Sequence, residues 1–291
     1  MKTSELLTHL GNRLEDPSEA NFNAVEKKQA LDQASDAVAN LIEWKYLTHL
    51  ETVTAEIEFG TADSNGYKTF SDVFGNGNLR PLRDGVQNIY CTQYNGSNSV
   101  NKYIDIIPFL DNDSSYFQGT TAVPVAYLND DKIYITPSVA NDGGDPEVTG
   151  TKFKVYYYKL PYKHLNLTKT TFTFTESSNV ITTSDDSVDF LSEGFAVGQK
   201  LLISGATNSA NNKYVDVTGV SSDNLTVSSI SHDQSTGTSI TLDTLDNLGS
   251  NLDPILLDYA ESILWYEDNR VDRASRARDS AITQINILNA R

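Results

Sequence analysis

The chain has 291 residues, 38% hydrophobic and 21% charged, which suits a folded protein and excludes a disordered one. Its formal net charge of −17 excludes general attraction to nucleic acid unless cations gather locally. The single cysteine, Cys91, excludes an internal disulfide and points to assembly in a reducing compartment.

The N-terminus, "MKTSELLTHLGNRLEDPSE", lacks the apolar core of a signal peptide. No window approaches the ~18 apolar residues of a membrane span, so no membrane partner is expected. Thr3 to Leu14 predicts a short amphipathic helix with Leu6, Leu7 and Leu10 together, broken by "EDPSEANF". Asn23 and Glu26 then stand at capping-box spacing. Leu31, Ala34, Val38 and Leu41 follow on one face, predicting a helix over residues 24–45. Ala30, Ala37 and Ala39 keep it slim enough for close helix–helix approach.

From Thr52 the period changes to two. "TVTAEIEF", "KYIDII", "AVPVAYL", "KIYITP" and "TKFKVYYYKLP" predict strands, separated by the turn-rich "GNGN", "YNGSNS", "LNDDK" and "ANDGGDPE". A second β block begins near Thr168. "TTFTFTESSNVITTS", "DFLSEGFAVGQKLLISG", "NKYVDVTGVSSDNLTVSS" and "TSITLD" predict short strands at the spacing of a small sandwich or barrel. Between Thr168 and Asp243 it holds three lysines against nine acids, a net of −6. Lying between other elements, with junctions near "HLNLTK" and "DTLDN", it reads as an inserted domain.

The chain ends on "LDPILLDYAESILWYEDNRVDRASRARDSAITQINILNAR". Asp253 is placed to cap a helix and Pro254 to open it. Ala260, Leu264, Val271, Ala274, Ala281, Ile285 and Leu288 form one heptad-like stripe, interrupted by Glu267 and Arg278. An unbroken helix from Ile255 would reach about 50 Å, more than a small domain needs for its own core; a break near Asn269–Asp272 is an alternative. The expected fold class is α+β. N- and C-terminal amphipathic helices form a bundle, with two mainly antiparallel β blocks between them. The boundaries are 1–50 (bundle helices), 51–167 (first β domain), 168–243 (inserted β domain) and 244–291 (terminal helix). Leu31, Ala34, Val38, Leu41, Ala260, Leu264, Val271 and Ala274 are the expected bundle core.

Residues suited to chemistry are sparse. His9, His49, His164 and His232 lack metal-ligand spacing with one another or with Cys91 and read as isolated surface or loop side chains. Cys91, in "NIYCTQY", reads as a buried strand cysteine. "DNDSS" (residues 111–115) and "NDGGDPE" (residues 141–147) offer carboxylates to a hard cation, but without the full EF-hand pattern they read as polar turns. "GNGN" precedes no helix, and "GFAVGQ" lacks the P-loop lysine. No cofactor motif is present, and no pair among the 39 acids stands out as catalytic, so an enzyme is not expected. The one cationic cluster, Arg270, Arg273, Arg276 and Arg278, alternates with Asp268, Asp272 and Asp279. Such a helix can lace itself with ion pairs such as Asp272–Arg276, or pair across a subunit interface. DNA contact would not need the interleaved aspartates.

The two ends carry a resemblance. "MKTSELLTHLGNRLEDPSEANFNAVEKKQALDQASDAVANL" resembles the N-terminus of head-to-tail adaptor (connector) proteins of tailed bacteriophages. "DPILLDYAESILWYEDNRVDRASRARDSAITQINI" resembles their C-terminal helix, and "FKVYYYKLPYKHLNL" the strand and proline-bearing exit before it. "GFAVGQKLLISG", "NNKYVDVTGV" and "LTVSS" resemble a small β domain of phage structural proteins. The inserted block separates the family's usual strand and helix, and the β middle is only generically similar. The resemblance implies a homo-oligomeric ring, a dodecamer, beneath the portal in the virion neck, assembled in the host cytoplasm. Its partners would be the portal protein, a downstream tail or nozzle protein and, through the insert, a tail fibre. DNA would pass through the lumen without specific binding. On this basis Glu267, Arg270, Arg273, Arg276, Arg278, Ile282, Ile285 and Leu288 are the expected docking residues. Two other classes stay open: a β-rich module that binds a glycan or another virion protein, which would show exposed aromatics on one β face, and a polysaccharide-cleaving enzyme, which needs two carboxylates in one cleft.

Overall fold

The computed structural model describes residues 1–60, 67–75, 80–96, 98–107, 119–120, 122–136 and 149–291. The predicted turns "DNDSS" and "NDGGDPE", and most of "GNGN", lie outside the described residues. The protein is α+β. N-terminal helices pack with a C-terminal helix pair, and three sheets lie between them in the sequence. Two compact units form: Met1–Leu50 with Pro161–Arg291, and Glu51–Leu160.

The first unit begins with α1 (Thr3–Arg13) and α2 (Ala24–Leu41). Leu6 and Leu10 are fully buried on α1. The break after α1 is organised by Asp16, whose carboxylate accepts from the amides of Ala20 (2.8 Å), Asn21 (3.2 Å) and Phe22 (2.9 Å). Those donors hold the Asp16 carboxyl below its usual range. The Lys27 ammonium donates to the Asp16 carbonyl (3.0 Å), and its charge lies 3.7 Å from the carboxylate. The capping box at α2 forms as expected: Asn23 Oδ1 accepts from Val25 and Glu26, and the Asn23 amide donates to Glu26.

The helix predicted over residues 24–45 stops early, because Ile42 turns extended and enters the core itself, 5% exposed. Asn289 completes the stop from across the bundle: its Nδ2 donates to the Leu41 carbonyl (3.0 Å) and its Oδ1 accepts from the Glu43 amide (3.0 Å). Leu41, expected in the bundle core, is therefore left 43% exposed at the frayed end.

The second unit carries β1 (Glu51–Val53), β2 (Ile57–Glu58), β3 (Tyr67–Thr69), the short α3 (Phe70–Phe74), β4 (Pro81–Tyr94), β5 (Asn98–Ile104), β6 (Ile106–Ile107), β7 (Val125–Asn129), β8 (Lys132–Thr136) and β9 (Lys152–Lys159). One antiparallel sheet runs β1-β9-β4-β5, with β2 also on β9. The other runs β3-β8-β7-β6 and is antiparallel except for β6 beside β7. Alternation along β9 places Phe153, Val155 and Tyr157 inward, where they share one core with Phe59, Ile89, Cys91, Ile133 and Ile135. Gly85 lies where β4 is bulged; a Cβ there would meet the Leu82 and Tyr158 carbonyls at 2.8 Å.

The chain then returns to the first unit as β10 (Asn166–Lys169), β11 (Phe172–Thr175), β12 (Val180–Thr183), the single turn α4 (Phe190–Glu193), β13 (Lys200–Ser204), β14 (Tyr214–Val220), β15 (Asn224–Val227) and β16 (Ile240–Thr244). These strands form one seven-stranded antiparallel sheet, order β10-β16-β13-β14-β15-β12-β11. Its edge strands β10 and β11 are consecutive in the chain, so the sheet must curl, and it closes as a half-barrel. Inside it Phe172 stacks on Phe190 and Phe190 meets Phe195 edge to face, with ring centroids 6.1 and 5.6 Å apart. Each fully buried ring contributes on the order of 3 kcal/mol.

The half-barrel is tied to α1. Thr3 Oγ1 donates to the Thr244 carbonyl (3.1 Å), and the Asp243 carboxylate accepts from the Ser4 amide (3.1 Å) and hydroxyl (2.5 Å). A carboxylate on free first-turn amides stabilises a helix.

The expected long terminal helix is two helices, α5 (Asp253–Glu267) and α6 (Val271–Asn289). α5 packs against α1, α2 and α6. Asp253 does not cap α5. It lies inside the first turn, and its carboxylate meets the Met1 amine at 3.2 Å. No helix among the described residues is long and apolar enough to cross a membrane.

Candidate assembly surface

The arginine-rich segment is shaped by the reversal between α5 and α6. Asn269 adopts a left-handed conformation, φ 56°. The Arg270 amide donates back to the Trp265 carbonyl (2.8 Å) and the Asn269 amide to the Tyr266 carbonyl (3.1 Å), the paired closure of a Schellman motif. Asparagine tolerates this conformation better than most residues because its short amide side chain can hydrogen-bond locally. The chain then runs back along α5, where Asp258 accepts from Ser280 (2.6 Å) and Gln284 (2.7 Å) on α6 and pairs with Arg13 of α1.

The hairpin takes the place of the unbroken helix, in line with the alternative of a break near Asn269–Asp272. The stripe of α6 is satisfied within the chain: Ala274, Ala281 and Ile285 are buried against its own bundle. Ala260 and Leu264 are buried as expected, as are Leu31, Ala34 and Val38. Val271 is not in the core. It is 55% exposed, because it is the first residue after the reversal and Ala274 is the first to face inward.

The arginines divide into two pairs. Arg270 and Arg273 lie over the Trp265 ring, 5.0 and 4.8 Å from its centroid. Arg270 also pairs with Asp268 (2.7 Å) and Arg273 with Glu15 (3.8 Å). They brace the reversal from within the chain. Arg276 and Arg278 are exposed and make no ion pair among the described residues; the Asp272–Arg276 pair expected along α6 does not form. Glu267 is exposed, Ile282 and Leu288 are half-buried, and Ile287, not on the predicted stripe, is 51% exposed.

Beside the reversal a cleft of ≈ 490 Å³ opens between α5 and α6, with Gln33 of α2 at its edge. Tyr259, Ile263, Tyr266, Val271 and Ala274 supply its apolar wall, and Glu267 and Arg278 its charged rim. Tyr266 is 69% exposed. Sequence reasoning missed it, since on a continuous helix it lies off the stripe. The signal was "EDN" directly after it: a polar run ending in asparagine, where a helix can stop and leave its last aromatic uncovered.

A second aromatic group lies in the unit Glu51–Leu160. Tyr90, Tyr103 and Tyr156 meet on the outward side of β4, β5 and β9, with centroids 5.1 and 5.6 Å apart. Tyr103 is 56% exposed, and its hydrogen bond to Tyr156 raises its hydroxyl above the usual range.

Among titratable groups, Cys91 is buried and its Sγ donates to the Gln93 carbonyl (3.3 Å). Burial pushes the thiol up to about 11, so it is protonated and unreactive. His9, His49 and His232 are exposed. His164 is not: it is buried between Asp32 and Asp246, which corrects its reading as an isolated loop side chain. Among the described residues, no three His, Cys, Asp or Glu side chains gather to hold a metal ion.

Compared with known proteins, the chain matches no family model, and no curated protein is similar enough to count as a relative.

Proposed function

We propose that this chain is a virion structural protein, a head-to-tail adaptor that joins the capsid portal to the tail of a bacteriophage. The observation that carries this reading is the α5–α6 cleft. Tyr266 and Val271 stand exposed beside Arg278, which has no ion pair among the described residues, on a chain whose net charge is otherwise strongly negative. Exposed aromatic and arginine side chains around an apolar depression are the composition of a protein–protein contact. Acting as a ring, a dodecamer on the family pattern, the protein would dock through this surface to the portal or to its neighbour. An acidic wall would let DNA slide past without sticking. The downstream tail or nozzle protein and a tail fibre are the further partners of this reading, and no side chain performs chemistry in it.

The test is the mass of the purified chain alone and mixed with the portal protein of the same phage. A ring is expected with portal present. The double variant Tyr266→Glu, Arg278→Glu should lose association by about tenfold or more while its melting temperature stays put. Unchanged association, or a wild-type chain indifferent to the portal, overturns the reading. A second reading, a β-rich glycan-binding module, is favoured by the exposed Tyr90–Tyr103–Tyr156 group. A glycan array without hits removes it.

A further inference from the structure

Two chain crossings bound the half-barrel: residues 161–165 lead in from the end of β9, and residues 245–252 lead out to α5. The crossings hold each other: Leu165 and Thr244 exchange backbone and hydroxyl hydrogen bonds (2.8–3.1 Å), and the Tyr162 amide donates to Asn247 Oδ1 (3.2 Å). One side chain ties both crossings to α2. The His164 amide and ring Nδ1 both reach Asp32 Oδ1, at 2.8 and 2.9 Å. On its other side, His164 Nε2 faces Asp246 Oδ1 at 3.4 Å.

The side chains of His164 and Asp246 are 2% and 1% exposed. Neither Nε2 nor Oδ1 has a hydrogen-bond partner among the described residues. An orphaned buried nitrogen and an orphaned buried carboxylate oxygen are costly singly. A proton on Nε2 turns the pair into an ion pair and leaves Nδ1–H for Asp32. A neutral ring would have to point a lone pair at one carboxylate.

We propose that His164 is a protonation-dependent latch: as an imidazolium it clips both crossings of the half-barrel to α2, and loss of its proton loosens that junction.

The surroundings agree. Burial alone would lower the affinity of His164 for its second proton, but the flanking Asp246 and Asp32 carboxylates outweigh it and raise the ring to about 9. Asp36 on α2 adds negative charge; its own carboxyl is raised by burial and by Asp32, and lowered by His164. Asp253, at the start of α5, is raised by burial and by Asp246, against the opposing Met1 amine. The folded-state value of His164 lies above its ordinary one, so the latch is fully closed below about pH 6.5 and opens as pH rises through about 9. The contacts of α1 with Asp243 and Thr244 do not depend on His164, so opening loosens the junction without unfolding either part.

The experiment is nitrogen-15 NMR of the histidine rings in the full chain, with amide exchange read from the same samples. At about pH 7.5 the His164 ring should carry both protons, and it should release one with a midpoint near 9. In His164→Gln, the amides of residues 162–165 and 245–248 should exchange about tenfold faster, while the half-barrel strands keep their protection. A ring that is neutral at pH 7.5 or titrates near the ordinary 6.5 overturns the proposal. So does unchanged junction exchange in the variant, or equal loss of protection across all half-barrel strands. Should the variant not fold, junction protection in the wild-type chain across the ring's own titration decides: a loss that tracks the ring, beyond the base-catalysed rise in exchange shared by the half-barrel strands, supports the latch, and its absence overturns it.

Discussion

Asp16 and Lys27 show how much one buried pair can determine at the residue scale. Both side chains are 2% exposed, and the carboxylate organises three amides of the α1–α2 loop as well as facing the ammonium. Asp16→Ala should lower the midpoint of urea denaturation, because it leaves the Lys27 ammonium without its counter-charge and three loop amides without their acceptor. Asp16 also predicts a sign for acid stability. Its carboxyl is held below the ordinary value by amide donors, so its contribution is present above about pH 3.9 and is lost as pH falls through the lowered value. Wild type should lose stability between pH 5 and pH 2 more steeply than Asp16→Ala does, a comparison made by urea denaturation across roughly that range.

Between elements, the reversal at Asn269 decides what the terminal segment is. Asn269→Gly keeps the left-handed conformation and should leave stability within about 1 kcal/mol. Asn269→Val should cost on the order of 1–2 kcal/mol, since a β-branched residue resists that region. The arginine pairs separate at this scale too. Arg273→Glu should lower the melting temperature by removing a guanidinium from Trp265, a contact worth ~0.5–1 kcal/mol at an exposed site. Arg276→Glu should not. Equal effects from both would mean that the stacking adds nothing. Removal of Ser280–Arg291 would not test docking cleanly, because it strips the Asn289 contacts from the end of α2 and two hydrogen bonds from Asp258.

At the scale of the whole molecule, both β regions enter and leave through adjacent antiparallel strands. β1 pairs with β9, Glu51 opposite Tyr158, and β10 pairs with β16, Asn166 opposite Asp243. Each region therefore closes on itself between α2 and α5, which is what an insertion requires. Replacing Glu51–Leu160 by a short Gly/Ser linker should leave the remaining unit with its helical circular dichroism and one cooperative unfolding transition. Loss of that transition would show that the helices depend on the excised unit.

What the sequence by itself determined was local. The change of period from 3.6 to 2 at Thr52, the capping box at Asn23 and the apolar faces with Leu31, Ala34, Val38, Ala260 and Leu264 follow from spacing, and spacing is a property of the chain alone. Wherever two elements compete for the same groups, only the tertiary structure decided. Asn289 helps end α2 from nearly 250 residues away, Trp265 takes up two of the four arginines, and Asp32 and Asp246 flank a buried histidine that looked solitary. Such partners are set by which surfaces burial brings together, and a residue's neighbours along the chain carry no record of them.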